Sequence, residues 1–287
     1  MKLSVAARRE ENWGWIMVAP TIIGLLVLNL WPFVQTLYTS FCEHLGFGHY
    51  KFIGLQNYIE MFQNAEFWKA TWNTIYFCIL TVPLGLFLSL LVAMLLNAKV
   101  KGKGVFRTIF FLPMVCAPAA VTMVWRWIFN SEYGILNQML GTHVNWITDS
   151  KVVMIACAIV AIWSNIGYDA VLLLAGLQNI SKSYYEAANI DGATKVTQFF
   201  QITLPLIWTN IRTTLTFFII STINMAFLFV KAMVAKGMAD VGLSFMYAQK
   251  DAGLYGYSMA AGVVIFLFSF LLSAMVNKVT KRDVLEM

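Results

Sequence analysis

An all-α polytopic membrane protein is the fold class this chain predicts, and three observations predict it. Of its 287 residues, 60% are hydrophobic and only 12% charged, where soluble domains carry about 25% charged residues. A soluble fold of this length has too little interior to hide so much apolar surface. The apolar residues gather into six long runs, each near the ~20 residues a helix needs to cross about 30 Å of hydrocarbon. The alternating pattern of a membrane barrel is absent, and isolated strands would leave their backbone groups unsatisfied in lipid.

The six predicted transmembrane helices cover 15–41, 74–96, 108–129, 152–177, 206–230 and 257–276. Lys2, Arg8 and Arg9 precede the first run as in a secretory signal, but the run is too long for a signal core and no small-residue cleavage pattern follows it. It is read as a retained span. Glu10 and Glu11 interrupt the basic stretch, which argues against an organellar import signal. The expected organisation is an N-terminal cytoplasmic segment 1–14, a six-helix domain 15–276 and a cytoplasmic tail 277–287.

The basic residues set the orientation. The side of the N-terminus holds Lys2, Arg8, Arg9, Lys99, Lys101, Lys103, Arg107, Lys182, Lys195, Arg212, Lys278, Lys281 and Arg282. The opposite side holds Lys51, Lys69, Arg126, Lys151, Lys231, Lys236 and Lys250, a division of 13 against 7. The loop 98–107 carries four basic residues and no acid. The positive-inside rule therefore places both termini, and the loop after the fourth span, in the cytoplasm. Basic residues so scattered between apolar spans describe orientation in a bilayer and do not point to nucleic acid.

Several chemistries are excluded. The sequence has no G-x-x-x-x-G-K-[ST], so no P-loop for ATP, and no H-E-x-x-H, G-x-S-x-G or C-x-x-C. No catalytic residue and no metal site are expected. Cys42, Cys78, Cys116 and Cys157 are far apart, three of them inside spans, and read as small apolar fillers without a disulfide framework. His44, His49 and His143 fall in predicted outer loops and read as surface histidines.

The most informative stretch is 186–205, EAANIDGATKVTQFFQITLP. It is polar and helix-prone, and it lies between two apolar spans. Ser181 or Ser183 can cap a helix starting near Lys182, and Tyr184-Tyr185-Glu186-Ala187-Ala188 continues it. Gly192 breaks it, because glycine takes a left-handed backbone at little cost. Thr194 can cap the next turn, and Pro205 marks the approach to the fifth span. The product is helix, glycine turn, helix: a compact knob with an apolar face. An ordinary interfacial loop would account for Gly192 and Pro205, but not for the whole wording.

That wording, Glu186-Ala187-Ala188, Asp191-Gly192-Ala193 and Ile202-Thr203-Leu204-Pro205, resembles the EAA loop of ABC importer permeases. The likeness extends along nearly the whole chain. It includes Phe52-Ile53-Gly54-Leu55-Gln56-Asn57-Tyr58, Phe106-Arg107-Thr108 with Phe111-Leu112-Pro113, and Trp125-Arg126-Trp127-Ile128-Phe129. It also includes Leu174-Ala175-Gly176-Leu177-Gln178-Asn179-Ile180 and Gly256-Tyr257-Ser258-Met259-Ala260-Ala261. The family is the maltose and oligosaccharide type of permease, a branch of the type I ABC importers. Two departures stand out. Ser181-Lys182-Ser183 replaces the family's usual proline, and Lys231–Met238 lacks its Gly-Gly-Pro turn.

The resemblance implies a permease subunit that forms half of a sugar pathway in a prokaryotic plasma membrane. Tyr185, Glu186, Ala187, Ala188, Asp191, Gly192 and Ala193 would couple to a cytoplasmic ATPase. The chain itself would bind no cofactor; ATP and Mg would belong to the ATPase. The implied partners are a second, similar permease subunit, two ATPase subunits, an extracytoplasmic solute-binding protein, sugar and membrane lipid, with no nucleic acid.

Polar groups inside spans are costly and mark cavities or partners. Asp169 is the only acid in a predicted span, and Asn165 stands four residues before it, on the same helical face. Tyr168 is adjacent. On the fifth span Phe218, Ser221, Thr222 and Met225 follow helical spacing, with Asn224 at the edge. Hydroxyls of a sugar pair with such amides and acids, and its ring faces rest on aromatics. Helix packing is the alternative for the Ser and Thr residues, and a bond to a partner subunit the alternative for Asp169. Trp125 and Trp127 read as interface anchors, and Pro83, Pro113 and Pro118 as helix interruptions.

Two alternatives remain for the function. The same fold could carry another solute, such as glycerol phosphate or an amino acid, although Asp169 argues against an anionic cargo. An intramembrane aspartyl protease is the remote one. Tyr168-Asp169 and Gly237-x-Ala239-Asp240 echo its motifs, but Asp240 falls in a predicted outer loop and a dyad needs adjacent carboxylates.

Overall fold

The computed structural model describes residues 5–44, 48–98, 101–235 and 237–281, with residues 5–12 described by backbone alone. Lys2, Lys99, Lys236 and Arg282 of the charge count lie outside them, as do 1–4 and 282–287 of the expected terminal segments. The chain divides into two compact units, one of residues up to Asn64 with Met246–Val264, the other of Ala65–Phe245 with the residues from Ile265.

The first unit opens with α1 (Val5–Leu25), a π-helical turn Leu26–Leu30, and α2 (Trp31–Thr39). Trp13–Thr39 is an apolar stretch long enough to cross a membrane, and none of its apolar window is buried. Pro32 sits in the first turn of α2, where its missing N–H does least harm. A short antiparallel hairpin follows, β1 (Cys42–His44) with β2 (Tyr50–Phe52), then α3 (Gln56–Gln63). Asn57 on α3 is a buried hub: its Nδ2 donates to Ser40 O at 2.9 Å and Cys42 O at 3.0 Å.

The second unit is a helical bundle. It begins with α4 (Ala65–Asn97), α5 (Lys103–Val115), α6 (Pro118–Ile128), α7 (Ile135–Leu140) and α8 (Val153–Gln178). The short α9 (Lys182–Ile190), α10 (Lys195–Gln198) and α11 (Leu204–Leu206) lead to α12 (Trp208–Met233). Two helices run across the unit boundary, α13 (Gly242–Asp251) and α14 (Tyr255–Val279).

The most buried span, α8, packs against α4, α12 and α5. Lipid tails are as apolar as leucine, so close packing rather than hydrophobic transfer brings membrane helices together, and small residues permit it. Ala156, Ala158, Ala161 and Ala170 are buried along α8. A Cβ on Gly167 would strike the Phe110 carbonyl, and one on Gly85 of α4 would strike the Phe218 ring.

Two apolar layers fix helix direction. One joins Phe77 of α4, Val153–Ala161 of α8 and Phe229–Met233 of α12; the other joins Val92–Leu96, Ala170–Leu177, and Ile207 with Ile211. Hence α4 and α8 run the same way and α12 runs back. In the first layer the loop after α6 is ordered by Asn137. Its Oδ1 accepts from Trp146 Nε1 at 2.9 Å, and its Nδ2 donates to Val144 O at 2.9 Å.

Four of the predicted spans are single helices within a few residues of the expected limits, apart from α4, which starts well before 74. The first runs through the π-helical turn Leu26–Leu30. The predicted third span is broken: α5 and α6 meet at 103°. Pro118 opens α6 and holds Ala117 extended at ψ 129°, because a residue before proline avoids the helical region. Five described helices suffice to cross a membrane, and six if the bent pair counts as one.

Candidate functional site

The first candidate site is the knob between α8 and α12. Ser181 caps α9, its Oγ accepting from Ser183 N–H at 3.4 Å, and Thr194 caps α10, accepting from Thr197 N–H at 3.2 Å. Between them Gly192 holds φ +74°, the left-handed region where a Cβ is penalised. The turn is closed by Ala193 N–H to Ala188 O at 2.9 Å and Gly192 N–H to Asn189 O at 3.2 Å.

Gln198 ties the two sides of this turn together. The side chain is only 3% exposed. Its Nε2 donates to Asn189 Oδ1 at 2.7 Å and to Ala193 O at 3.1 Å, while its Oε1 accepts from Lys195 Nζ at 3.1 Å. The Tyr185 and Thr203 hydroxyls, 2.9 Å apart, tie α9 to the π-helical turn Phe199–Thr203. Sequence reasoning missed Gln198, which reads as ordinary helix-surface polarity, and picked out Thr203 only as part of the loop's wording, not for its bond to Tyr185.

The outward side of the knob is apolar where it could have been polar. Ile190 is 88% exposed and Val196 66%, with Phe200 also exposed. Glu186, Ala187, Asp191 and Gly192 are exposed beside them, and Tyr185, Ala188 and Ala193 are half-buried. An apolar crest on a rigid polar base is suited to docking against a partner.

The knob is anchored to the bundle at the foot of α12. Trp208 Nε1 donates to Thr280 O at 2.7 Å, and Arg212 Nη2 to Asn277 O at 3.0 Å and Oδ1 at 3.2 Å. Asn277 Nδ2 in turn donates to Thr216 Oγ1 at 3.1 Å. On the other side, Gly176 lets α8 approach Asn210, whose Cγ would lie 2.6 Å from an added Cβ. The foot of α12 is thus tied to α8 and to the end of α14.

The second candidate site lies between α8 and α12. Asn165 Nδ2 donates to Ala161 O at 3.3 Å and meets Met225 Sδ across the helices. Asp169 is buried, and its Oδ2 has no hydrogen-bond partner. Thr222 Oγ1 is likewise buried without a partner, and Phe218 is buried against Gly85. Tyr168 and Asn224 are exposed, and Ser221 and Met225 half-buried.

The predicted polar stripe is thus split. Phe218 and Thr222 face the bundle, while Ser221 and Asn224 border the open side with Phe217 and Ile220. Helical spacing of three and four residues covers an arc wide enough to straddle both faces.

Other residues fall differently from expectation. Trp125 packs on Phe129 at 5.2 Å and Trp163 at 5.7 Å between ring centroids, while Trp127 stays exposed. Asp240 does not join Asp169. Its carbonyl accepts from Asn73 in the first turns of α4 and its Oδ1 from Ser244, whereas Asp169 adjoins Ala170 of the other layer. The four cysteines are free.

Five described helices of membrane-crossing length, or six with the bent pair, define a class, the multi-pass helical membrane proteins. Residues 74–282 match the family described as binding-protein-dependent transport system inner membrane component, and the chain belongs to that family.

Among relatives, the sulfoquinovosyl glycerol transport system permease protein SmoG of Agrobacterium fabrum is 30% identical over 93% of this chain and 89% of its own length. The trehalose/maltose transport system permease protein MalF of Thermococcus litoralis is 35% identical over 69% of each chain. A solved bacterial ABC transporter involved in import of the acidic polysaccharide alginate shares the fold. Its TM-score is 0.83 at 22% identity, covering 96% of this chain and 97% of that one. The fold is that of a type I ABC importer permease, a multi-pass inner-membrane transport component rather than an enzyme.

Proposed function

We propose that this chain forms half of the pathway of an ATP-driven sugar importer, and that the knob within 181–205 transmits ATPase motion to the spans. The observation that carries it is the knob's build: an exposed crest of Ile190 and Val196 on a base locked by Gln198. Tyr185, Glu186, Ala187, Ala188, Asp191, Gly192 and Ala193 form the docking element for a cytoplasmic ATPase that holds ATP and Mg. Both termini lie in the cytoplasm, with 1–14 and 277–287 as cytoplasmic segments flanking the membrane domain. A second, similar permease subunit completes the pathway, two ATPase subunits drive it, and an extracytoplasmic binding protein delivers the cargo.

Relatives named for sulfoquinovosyl glycerol and trehalose/maltose transport support a carbohydrate cargo. Tyr168 and Asn224 offer it exposed polar groups and Ser221 a half-buried one, with Asn165, Asp169, Phe218, Thr222 and Met225 behind them. Asp169 disfavours an anionic cargo such as glycerol phosphate. Closure of the ATPase pair draws the knobs together, and the spans shift between outward-open and inward-open arrangements.

The test is sugar-stimulated ATP hydrolysis in the reconstituted complex. Gly192→Pro and Glu186→Lys should each abolish stimulation while membrane insertion persists. Unchanged stimulation with Gly192→Pro would overturn the coupling role.

A further inference from the structure

The first unit contains a recess that none of the above explains. It has a volume of about 580 Å³ and is walled by β1, α3 and the segment from Gln249 to Tyr257. Its polar lining includes Glu43, Gln56, Glu60 and Gln249, and its aromatic wall His44 and Tyr255, whose ring centroids lie 4.6 Å apart. Among the described residues that line it, none is Lys or Arg.

The walls are fixed by internal bonds. Asn57 clamps Ser40 O and Cys42 O. Gly256 presses so closely on the Cys42 carbonyl that no Cβ would fit. Asn64 Nδ2 donates to Tyr257 Oη at 3.2 Å, and Ser258 Oγ to Met246 O at 2.8 Å. His44, read from sequence as a surface residue, is half-buried and meets the Tyr50 ring edge-on and the Tyr255 ring at a tilt.

We infer that this recess is a second saccharide site, separate from the intramembrane residues, which takes a neutral sugar of one or two rings. The volume is within the range of small-ligand pockets, ~300–1,000 Å³. The Glu43 and Glu60 carboxylates accept from vicinal hydroxyls, the Gln56 and Gln249 carboxamides both accept from and donate to them, and the His44–Tyr255 wall presents aromatic surface to a ring face. Two carboxylates without a lining cation reject an anionic sugar, whose charge would meet like charge across a short distance. The inference rests on the orientation and cargo proposed above, which place residues 42–44, 48–64 and 249–257 on the extracytoplasmic side, so the recess would hold sugar before it enters the membrane.

The experiment is protection of Gln249→Cys from a membrane-impermeant maleimide, using the permease in right-side-out vesicles. Cys116→Ser removes the exposed native thiol. Trehalose, maltose and lactose are the probes, with glucuronate as the anionic comparison.

The expected result is labelling from outside, slowed at least threefold by a neutral disaccharide and not by glucuronate. The protection should be lost in Tyr255→Ala and Glu60→Gln and kept in Asp169→Asn. Labelling that no sugar slows overturns the second site and leaves the importer reading standing. Protection by binding protein without sugar, or protection lost in Asp169→Asn alone, also overturns it. Labelling only in inverted vesicles overturns the orientation on which the site rests.

Discussion

Gln198 Nε2 donates to Asn189 Oδ1 at 2.7 Å, a bond that folds the second helix of the knob back onto the first. The same nitrogen reaches Ala193 O, so one side chain spans the Gly192 turn from both sides. Each bond contributes on the order of 1 kcal/mol net, and leaving a buried partner unmet costs about 1–3 kcal/mol. Gln198→Ala is expected to reduce sugar-stimulated ATP hydrolysis several-fold with no loss of permease from the membrane. Amide hydrogen exchange over residues 182–198 should speed up in the same variant. Unaltered exchange there would show that the strut is not what stiffens the knob.

Gly192 allows a graded test of the turn. At φ +74° an alanine bears about 1–2 kcal/mol of strain, whereas proline, fixed near −65°, cannot reach the conformation and has no N–H for Asn189 O. Stimulated ATPase activity should therefore fall modestly in Gly192→Ala and collapse in Gly192→Pro. Equal effects of the two substitutions would contradict a conformational cause.

The contrast between Gly192 and Gln198 shows what sequence can carry. A glycine announces its turn by its own chemistry, and Ser181 and Thr194 announce their caps. Gln198 becomes a strut only once α9 and α10 fold back, and nothing near it in the chain records that. The spans were legible because a bilayer imposes one length and one composition on them. The 103° break at Pro118 was legible as a break but not as an angle, which the neighbouring helices set. Short polar elements, such as the β1–β2 hairpin, α3 and α13, left no periodic signal of their own. Asp169 stood out as an acid in lipid, but the face on which Phe218 and Thr222 lie was decided by packing against Gly85 and α8.

That packing is testable by itself. Any Cβ at Gly85 would meet the Phe218 ring, and overpacking of this kind typically costs about 1–3 kcal/mol. Gly85→Ala should lower the melting temperature of the purified permease in detergent. Phe218→Ala destabilises by itself, since the ring is buried, but the double variant should lose less than the two single losses summed, because the smaller side chain vacates the collision point. A double variant less stable than the sum of the two single ones would rule out the direct clash.

Asp169 separates packing from transport. Its Oδ2 is buried without a partner, so Asp169→Asn keeps the shape and removes only the carboxylate. Thermal stability is expected to stay within a few degrees, while sugar uptake falls at least tenfold. The exposed Asn224 should respond differently: Asn224→Ala should raise the sugar concentration needed for half-maximal uptake and leave the maximal rate nearly intact, as expected when binding common to ground and transition states is lost. Uptake unaffected by both substitutions would confine these residues to helix packing.

Orientation of the knob can be read without any transport assay. Ile190 is 88% exposed at the end of α9, so Ile190→Cys offers a thiol to any reagent on its side of the membrane. In a Cys116→Ser background the remaining native thiols are buried and should stay silent. A membrane-impermeant maleimide is expected to label Ile190→Cys in inverted vesicles and not in intact cells. Binding of the ATPase should then block labelling, since Ile190 and Val196 form the crest it would cover. Labelling in intact cells would place the knob on the outer face, where no ATPase could reach it, and the whole coupling scheme would fail with it.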